Sequence, residues 1–450
     1  MVETTELHRR ALLDFLNKED TEGFRKEYLN LLPYDQAIFF KEQTEDIRLR
    51  IYSYLSPREI ASIIQNIDIE EIEIYIIEMD PRFAATVFSE MPYDDVVDIL
   101  QVLDKDEIAS FFALMNTEDV KEIKSLMHYE DKTAGSIMTT EYVSVYRNQT
   151  VEETFKQMKI EAPEAETIYY TYVLDENKRL VGVLSLRSLV IAEPDDLVKD
   201  IMSDNAISVS AGRDQEDVAQ MIRDYDFLAL PVVDFQNHLL GIITVDDIID
   251  VMDAEAHEDY SKLAAISEID SPDSVPIKSA KKRLPWLIIL MFLGMITASL
   301  IGSFEETLEQ VPIVAIFIPL IAGMAGNAGT QSLAVAVRGI ATGEYGKGSK
   351  LVLIFKEALT GIIIGITIAI LITLLITVWK GNFYLGVLVG LSILVTLIVA
   401  TLSGALIPLF MNKLDIDPAV ASGPFITTLN DITSVLIYFS LATTFMSLLL

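Results

Sequence analysis

The chain has 450 residues, 51% of them hydrophobic, and carries a formal net charge of −33. This length exceeds that of an ordinary single domain, and the acidic excess excludes a nucleic-acid-binding surface, because phosphates would be repelled. The chain has no Cys and only four His, which excludes zinc and soft-metal sites. Any bound divalent ion should therefore be a hard cation held by oxygen atoms.

The charge is distributed unevenly along the chain. Residues 281–450 hold 8 acidic and 9 basic residues, whereas residues 1–280 hold 59 acidic and 25 basic ones. We therefore expect an acidic soluble region followed by a membrane region. Most acidic groups should form a solvated surface that binds nothing specific, and cations are the natural partners of the rest. Residues 1–6 have neither the basic start nor the apolar core of a signal peptide.

Residues 1–130 are predicted to form an all-α helical solenoid. Helix-start signals such as Ser56-Pro57 and Asp80-Pro81 recur along this region. Each follows an apolar residue, and these recur every twelve positions: Leu55, Ile67, Met79, Met91, Leu103, Met115 and Met127. A unit of about nine helical residues buries its apolar face only by stacking on the next unit. Asp94 and Asp98 lie one helical turn apart, where they could share a cation or belong to a solvated face.

Residues 131–252 contain two copies of one mixed α/β pattern. Residues 137–145 match residues 201–209, and residues 172–189 match residues 231–248. The shorter offset of the second match indicates an insertion near Glu161–Glu166 in the first copy. Each copy is predicted to form a strand, a turn, a second strand and a helix. The two copies resemble a tandem CBS pair, which implies a regulatory sensor and not a catalyst.

Such pairs often bind adenine nucleotides, so the resemblance also implies an ATP site between the copies. Asp246 and Asp247 follow Thr244, at the place where a ribose-binding aspartate commonly lies in these modules. We therefore name Asp246 and Asp247 as candidate ATP ligands.

An acidic helix is predicted to follow, with residues 253–280 forming a connecting helix and a linker that contains Pro272 and Pro276. Seven acids fall between positions 246 and 259: Asp246, Asp247, Asp250, Asp253, Glu255, Glu258 and Asp259. Like charges at i,i+3 and i,i+4 spacing destabilise a helix unless cations intervene. A divalent ion that bridges this helix to Asp94, Asp98 or Asp226 would favour a compact state, and its loss would let the parts separate.

Residues 281–450 are predicted to cross a membrane five times. The apolar runs cover residues 284–303, 311–337, 351–379, 383–410 and 426–450. Lys281–Arg283 precede the first run and hold the soluble region in the cytoplasm under the positive-inside rule. Arg338, Lys347, Lys350 and Lys413 then fall in cytosolic loops and only Lys380 falls outside. This arrangement places the C-terminus outside the cell.

Two polar segments interrupt these apolar runs. The second run contains three glycines between positions 323 and 329 and the polar residues Asn327, Thr330 and Gln331. These residues could supply uncharged ligands, or the glycines could serve helix packing alone. The last run contains one ionisable residue, Asp431. An aspartate in a membrane helix costs roughly 2.5–3.5 kcal/mol on insertion scales.

We interpret Asp431 as a cation site on a wet path. Thr427 and Asn430 lie beside it in the sequence, and their polar groups would be unfavourable in contact with lipid. The alternative is a carboxylate near the cytosolic end of the helix that reaches the membrane interface.

The whole chain resembles the MgtE-type magnesium channels of bacteria. The order of the domains carries this resemblance, together with a Gly-Asn-x-Gly-x-Gln segment that begins at Gly326 and an Asn-Asp-x-Thr segment that begins at Asn430. It implies a Mg²⁺-selective homodimer that mediates magnesium uptake across the cell membrane. It further implies a pore along the dimer axis, in which Asp431 of both subunits forms the principal Mg²⁺ site.

The resemblance also implies cytosolic Mg²⁺ sites that close the channel. Carried over residue by residue, their ligands are Asp94, Asp98, Asp214, Glu216, Asp226, Asp247, Asp250, Glu255, Glu258, Asp259 and Asp417. A backbone oxygen near Gly135 or Ser136 would contribute. The implied pore lining beside Asp431 comprises Gly326, Asn327, Thr330, Gln331, Thr427 and Asn430.

Two positions depart from the family pattern. Ser62 stands where a glutamate is expected, which puts one site between the solenoid and the CBS pair in question. Thr330 stands where asparagine is expected, which alters the pore lining.

Two other readings of the sequence stay open, and a third is excluded. A transporter for another divalent cation such as Co²⁺, Mn²⁺ or Ca²⁺ is the first alternative. A CBS-regulated anion channel is the second, although the acidic last span and the absence of buried basic residues oppose it. No Ser/His/Asp set, P-loop or HExxH motif occurs, so an enzyme is not expected.

Overall fold

The computed structural model describes residues 2–266, 275–342, 350–414 and 416–446. Residues 1–252 and residues 253–450 form two compact units. The predicted linker residue Pro272, the loop residue Lys347 and the chain end at Leu450 lie outside the described residues.

The first unit begins with ten short helices that stack in chain order. They are α1 Val2–Asn17, α2 Thr21–Tyr28, α3 Pro33–Lys41, α4 Glu45–Tyr54, α5 Pro57–Ile64, α6 Ile69–Glu78, α7 Pro81–Phe88, α8 Tyr93–Val102, α9 Lys105–Leu114 and α10 Thr117–Leu126. Ser56 and Glu59 form a capping box at α5, and the Asp80 side chain accepts from backbone N–H groups of α7. The recurring apolar residues from Leu55 to Leu103 are at most 7% exposed. The predicted helical solenoid is confirmed.

Two three-stranded sheets follow, one for each copy of the repeat. The first copy contains β1 Tyr142–Tyr146, α11 Val151–Glu161, β2 Thr167–Leu174, β3 Leu180–Ser185 and α12 Leu186–Ile191. After α13 Val198–Ile201, the second contains β4 Val209–Ser210, α14 Gln215–Tyr225, β5 Ala229–Val233 and β6 Leu239–Thr244. Each sheet pairs its first two strands in parallel and its last two antiparallel. This shared topology confirms the predicted repeat.

Long helices make up most of the rest of the chain. They are α15 Val245–Leu263, α16 Pro276–Gly302, α17 Glu305–Gln310, α18 Ile318–Ala341, α19 Lys350–Lys380, α20 Phe383–Lys413 and α21 Gly423–Thr444, with 3₁₀ helices at Pro312–Phe317 and Pro418–Val420. Within the described residues, five helices are long and apolar enough to cross a membrane: α16, α18 with its preceding 3₁₀ turn, α19, α20 and α21. The predicted five-span region is therefore confirmed.

Small residues let α18, α19 and α20 approach closely. A Cβ atom on Gly404 of α20 would lie 2.3 Å from the Gly329 carbonyl oxygen of α18, and one on Gly361 of α19 would lie 2.3 Å from Thr401 Oγ1 of α20. By contrast, α16 has no buried residue. The end of α16 contributes only partly buried residues, Leu300 and Ile301, to the core that α18 to α21 form with the preceding 3₁₀ helix.

Candidate cation sites

Helices α18 and α21 meet through residues that the sequence assigned to a pore. A Cβ atom on Gly326 would lie 2.8 Å from Thr427 Cγ2, and one on Gly329 would lie 1.9 Å from Asn430 Nδ2. Glycine at these positions is therefore what allows the polar side chains of α21 to reach α18. Thr330 Oγ1 lies 3.3 Å from Thr427 Oγ1, so the threonine that departs from the family pattern contributes a hydroxyl to this contact.

Asn430 is the buried polar residue of this contact. It is 1% exposed, and its Nδ2 donates to the Ala325 carbonyl oxygen at 3.5 Å. Its Oδ1 atom is also buried, and no described residue donates a hydrogen bond to it. A buried acceptor without a donor is costly. The Asn430 oxygen is therefore suited to interact with water or a hydrated cation.

Asp431 follows Asn430 a little more than two turns into α21. At 1.5 Å per residue, it lies about 12 Å along the helix axis from Gly423. The residue is partly exposed. Among the described residues, no hydrogen-bond or ion-pair partner of its carboxylate is found. The carboxylate is therefore available to a cation.

Asn327 and Gln331 lie on a different side of α18. Both are exposed, one helical turn apart, with Gly323 exposed on the same side. The structure therefore does not bring these two predicted pore residues into the contact with α21. Exposed amides are unfavourable against lipid, so this face of α18 requires a polar partner or water.

Carboxylates from the solenoid and the CBS pair form a cluster within the first unit. We call Asp94, Asp95, Asp98, Glu141, Glu166, Asp246 and Asp247 the acid cluster. Burial, and then repulsion by Asp95 and Asp247, raises the pKa of Asp94 well above its usual range. Asp98 lies at the exposed edge of the cluster, where partial desolvation and then repulsion by Asp95 and Asp247 raise its pKa. The structure therefore places Asp94 and Asp98 within repulsive range of Asp247 at the start of α15.

Asp247 has a second interaction inside the acid cluster. Its carboxylate accepts a hydrogen bond from the Thr244 hydroxyl. Burial raises its pKa to about 6, and the Thr244 hydrogen bond opposes that rise. Asp94 Oδ1 is buried and has no hydrogen-bond partner among the described residues. Burial of a carboxylate oxygen is costly unless a hydrogen-bond donor or a cation compensates it, and no described residue does so for Asp94 Oδ1.

Glu141 and Glu166 belong to the acid cluster, and sequence reasoning missed both. Glu166 N donates to the Glu141 carbonyl oxygen at 2.8 Å. Partial burial, and then repulsion by Glu166, raises the pKa of Glu141 to about 7. Glu166 is exposed, and partial desolvation followed by repulsion from Asp247 raises its pKa. Glu166 lies in the insertion of the first CBS copy, so the acidic insertion was the signal that could have identified it.

The other predicted ligands of the first unit lie around α14. The Asp214 side chain accepts from Glu216 N at the start of α14, and Asp226 ends this helix in the left-handed conformation. Gly135 N donates to the Ala211 carbonyl oxygen at 2.8 Å. Across the described ranges, no three His, Asp or Glu side chains converge closely enough to enclose a metal ion. A cation here would be held largely through its own water, which is how Mg²⁺ commonly binds.

The second unit contains another group of predicted ligands, around the end of α15. Asp417 precedes a 3₁₀ helix and accepts from Ala419 N at 2.8 Å. Burial, and then repulsion by Asp417, raises the pKa of Asp259 to about 6. The Lys262 ammonium forms ion pairs with Glu258 at 2.5 Å and with Asp417. The structure therefore brings Glu258, Asp259 and Asp417 together, with a lysine among them that the sequence analysis did not consider.

Glu357 of α19 is a second acid within a membrane-spanning helix, which sequence reasoning also missed. It is 6% exposed. One turn away, Gly361 packs against Thr401 of α20. An acidic residue on the packed face of an apolar helix could have been noticed from the spacing of Glu357 and Gly361.

A cavity of about 340 Å³ lies between the two CBS copies. Its lining includes Tyr170, Tyr172, Ser185, Ser188 and Phe227. Ser185 Oγ and Ser188 Oγ lie 2.8 Å apart, and the Tyr172 hydroxyl is buried without a hydrogen-bond partner among the described residues. Aromatic rings and hydroxyls suit a nucleoside. The predicted ATP ligands Asp246 and Asp247 do not line this cavity.

Acidification is expected to stabilise the fold of this protein. A carboxyl group whose folded pKa exceeds its unfolded value destabilises the fold above the folded pKa, and this penalty disappears as the pH falls toward the unfolded value. Partial burial raises the pKa of Glu141 to about 7, against about 4 when unfolded. Asp98 and Glu166 are exposed, so solvent screens their repulsion and their contribution to the pH dependence is smaller. In chelator, the melting temperature should rise between pH 8 and pH 6, by about 2–4 °C per kcal/mol gained.

Thermal melts of the purified full chain test this expectation. Millimolar Mg²⁺ should stabilise the protein more at pH 8 than at pH 6, because protons and Mg²⁺ relieve the same repulsion. Glu141→Gln combined with Glu166→Gln should flatten the pH dependence. A melting temperature that falls on acidification over this range would contradict the assignment of these groups.

Comparisons with known proteins agree with this architecture along the whole chain. Residues 31–132 match the family described as the MgtE intracellular N domain, and residues 134–195 and 198–254 match the CBS domain. Residues 318–441 match the family described as a divalent cation transporter.

Curated relatives cover nearly the full length. The chain is 50% identical over 437 residues to the magnesium transporter MgtE of Enterococcus faecalis, a match that covers 97% of this chain and 96% of that relative. It is 37% identical over 440 residues to the magnesium transporter MgtE of Thermus thermophilus, covering 96% of this chain and 97% of the relative.

Two solved structures resemble the soluble part. The crystal structure of the soluble part of a magnesium transporter is 48% identical with a TM-score of 0.55, and covers 56% of this chain and 99% of its own. The cytosolic domain of the Mg²⁺ channel MgtE in complex with ATP is 37% identical with a TM-score of 0.51, and covers 54% of this chain and 99% of its own.

The five apolar helices, the polar contact of α18 with α21 and these matches define a multi-pass membrane transporter of divalent cations, and not an enzyme. Full-length identity of 50% to a curated member then fixes the family. The chain belongs to the MgtE family of magnesium transporters, as its motifs predicted.

Proposed function

We propose that this chain is a Mg²⁺-selective channel that mediates magnesium uptake across the bacterial cell membrane. The observation that carries the proposal is the pair Asn430 and Asp431 in α21. Asn430 holds a buried oxygen to which no described residue donates a hydrogen bond, and the neighbouring Asp431 carboxylate is partly exposed. A carboxylate surrounded by amides and hydroxyls can hold Mg²⁺ through its water shell.

The functional unit is proposed to be a homodimer with the pore on its axis. Support comes from the exposed amides of Asn327 and Gln331 and from α16, which has no buried residue within one chain. A second chain against these surfaces would remove the amides from lipid. Two Asp431 carboxylates would then form a ring that attracts divalent cations and repels anions.

Cytosolic Mg²⁺ is proposed to close the channel. The proposed ligands are Asp94, Asp98, Asp214, Glu216, Asp226, Asp247, Asp250, Glu255, Glu258, Asp259 and Asp417. The raised pKa values in the acid cluster support this role, because they reflect burial and then mutual repulsion of carboxylates whose charge a divalent cation would compensate. Several ions that each favour the closed state by about 1–2 kcal/mol would together dominate the equilibrium.

The soluble domains are proposed to lie in the cytoplasm and the C-terminus outside. Basic residues support this orientation. With five successive crossings, Arg283 near the start of α16 and Lys413 at the end of α20 fall on one side of the membrane, and Lys380 at the end of α19 falls on the other. Cytoplasmic helix ends carry the excess of Lys and Arg in membrane proteins.

ATP is proposed as a regulatory ligand of the CBS pair. A 37% identical cytosolic domain has been solved in complex with ATP. Two places in this chain are candidates: the cavity with Tyr172 and Ser185, and the neighbourhood of Asp246 and Asp247. The cavity offers volume and aromatic rings on which a base can stack. The neighbourhood of Asp246 and Asp247 offers carboxylates that repel one another.

Uptake by proteoliposomes tests the proposed transport. Liposomes that contain the purified chain and a Mg²⁺-sensitive dye should show uptake from external Mg²⁺, and liposomes without protein should not. Excess external Ca²⁺, Co²⁺ or Mn²⁺ distinguishes Mg²⁺ selectivity from the alternative of another divalent cargo. Protein-dependent uptake of Mn²⁺ or Co²⁺ without uptake of Mg²⁺ would overturn the proposal.

A further inference from the structure

The end of α15 packs against the beginning of α21 within the second unit. Leu263 contacts an apolar group formed by Leu333 and Val337 of α18 and by Ala421 and Ile426 around the start of α21. The Leu263 carbonyl oxygen lies 3.4 Å from where a Cβ atom of Gly423 would stand. We call this arrangement the docked end of α15.

Lys262 is the charged residue that links the docked end to the segment before α21. Its Nζ atom pairs with Glu258 Oε1 of the preceding turn at 2.5 Å and with Asp417 Oδ2, 155 residues away in the chain. The Lys262 side chain is 27% exposed and that of Asp417 is 38% exposed. The ion pair is thus partly shielded from water, which makes it stronger than a fully exposed pair.

The position of this ammonium has a consequence for cation binding. Glu258, Asp259 and Asp417 are the carboxylates that a divalent ion would use in this part of the molecule. A tethered ammonium already supplies one positive charge to them, and it repels a second cation that approaches the same oxygens. In the structure it contacts Asp417 with the end of α15 docked.

We propose that Lys262 is a built-in cation that holds the docked end in place when no divalent ion is bound, and that Mg²⁺ binds Glu258 and Asp417 by displacing it. Lys262 is therefore a residue that sets the Mg²⁺ concentration range of the docked state. This inference rests on the proposed gating by cytosolic Mg²⁺ and names a residue that controls it.

Disulfide crosslinking measures docking without relying on transport. The chain has no native Cys, so Leu263→Cys with Gly423→Cys gives a reporter free of background. A Cβ atom at Gly423 meets its nearest neighbours at 3.4 and 3.5 Å, which is ordinary contact, so the substitution should fit. The rate of crosslinking would be measured on the full chain in lipid, in chelator and at increasing Mg²⁺.

Lys262→Gln in this background should lower the crosslinking rate in chelator by about five-fold, the effect of losing one partly shielded ion pair. The rate should recover to the level of the parent at millimolar Mg²⁺, because the divalent ion replaces the lost charge. Lys262→Arg, the matched control, should behave as the parent because it keeps the positive charge. Variants with only one of the two cysteines can form disulfides only between chains, so they measure the intermolecular background.

Equal crosslinking of the Lys262→Gln variant and the parent at every Mg²⁺ concentration would overturn the proposal. A variant that remains poorly crosslinked at saturating Mg²⁺ would also overturn it, since Lys262 would then be structural only. Currents in inside-out patches distinguish this failure from a failure of the proposed gating. If cytosolic Mg²⁺ closes the channel but does not restore crosslinking of Lys262→Gln, the role of Lys262 fails and the gating stands. If Mg²⁺ neither closes the channel nor changes crosslinking of either protein, both fail.

Discussion

Asp431→Ala is expected to abolish Mg²⁺ flux. The substitution removes both carboxylates of the proposed ring, and the remaining ligands would be uncharged oxygens such as those of Asn430 and Thr427. A hydrated divalent ion would then lose the charge that compensates its entry into the membrane. The measurement is Mg²⁺ uptake by proteoliposomes at equal protein content, with a loss of at least ten-fold expected.

Two further variants separate charge from folding. Asp431→Asn keeps the size of the side chain and should also abolish flux, whereas Glu305→Gln changes an exposed acid of α17 and should leave flux unchanged. Each variant should elute as a folded dimer. Normal flux through Asp431→Ala would refute the assignment of the pore.

Neutralisation of five acids on α15 is expected to leave a channel that stays open at high cytosolic Mg²⁺. The five residues are Asp247, Asp250, Glu255, Glu258 and Asp259, each replaced by Asn or Gln. In the native chain these acids repel one another, Asp250 repels Asp95 and Asp259 repels Asp417; under the proposed gating a divalent ion would relieve this repulsion. Without the charges, Mg²⁺ has no differential affinity for the closed state and cannot shift the equilibrium.

Currents in inside-out patches, recorded at zero and 10 mM cytosolic Mg²⁺, measure this effect. The matched control removes the same charge from exposed positions of the solenoid: Glu22, Asp35, Glu45, Glu73 and Glu90. The control should close as the parent does. Normal inhibition by Mg²⁺ in the α15 variant would count against the proposed switch.

Local sequence signals predicted most of the fold. Capping residues such as Ser56 and Asp80 mark where helices begin, and the twelve-residue repeat fixes their length, because each depends only on nearby residues. The internal repeat predicted two copies of one sheet. The apolar runs predicted five spans, since a bilayer demands a minimum helix length.

The candidate sites could be predicted only where one element supplies the chemistry. Asp431 and Asn430 are adjacent in the sequence, and the acids of α15 follow one another on one helix, so the sequence alone suffices to name both groups as candidates. Glu141, Glu166 and Lys262 were not, because their importance depends on contacts between distant segments, such as that of Lys262 with Asp417. Periodicity assigns a residue to a face of its own element, but it does not reveal which loop lies opposite.

The central claim is that Asp431 from two subunits holds Mg²⁺ on a shared axis. An experimental structure of the full-length protein in a lipid nanodisc, determined with and without Mg²⁺, tests it most directly. We expect a dimer with ion density between the two Asp431 carboxylates in Mg²⁺ and none in chelator. Asp431 side chains that face lipid, remote from each other and from any ion, would contradict it.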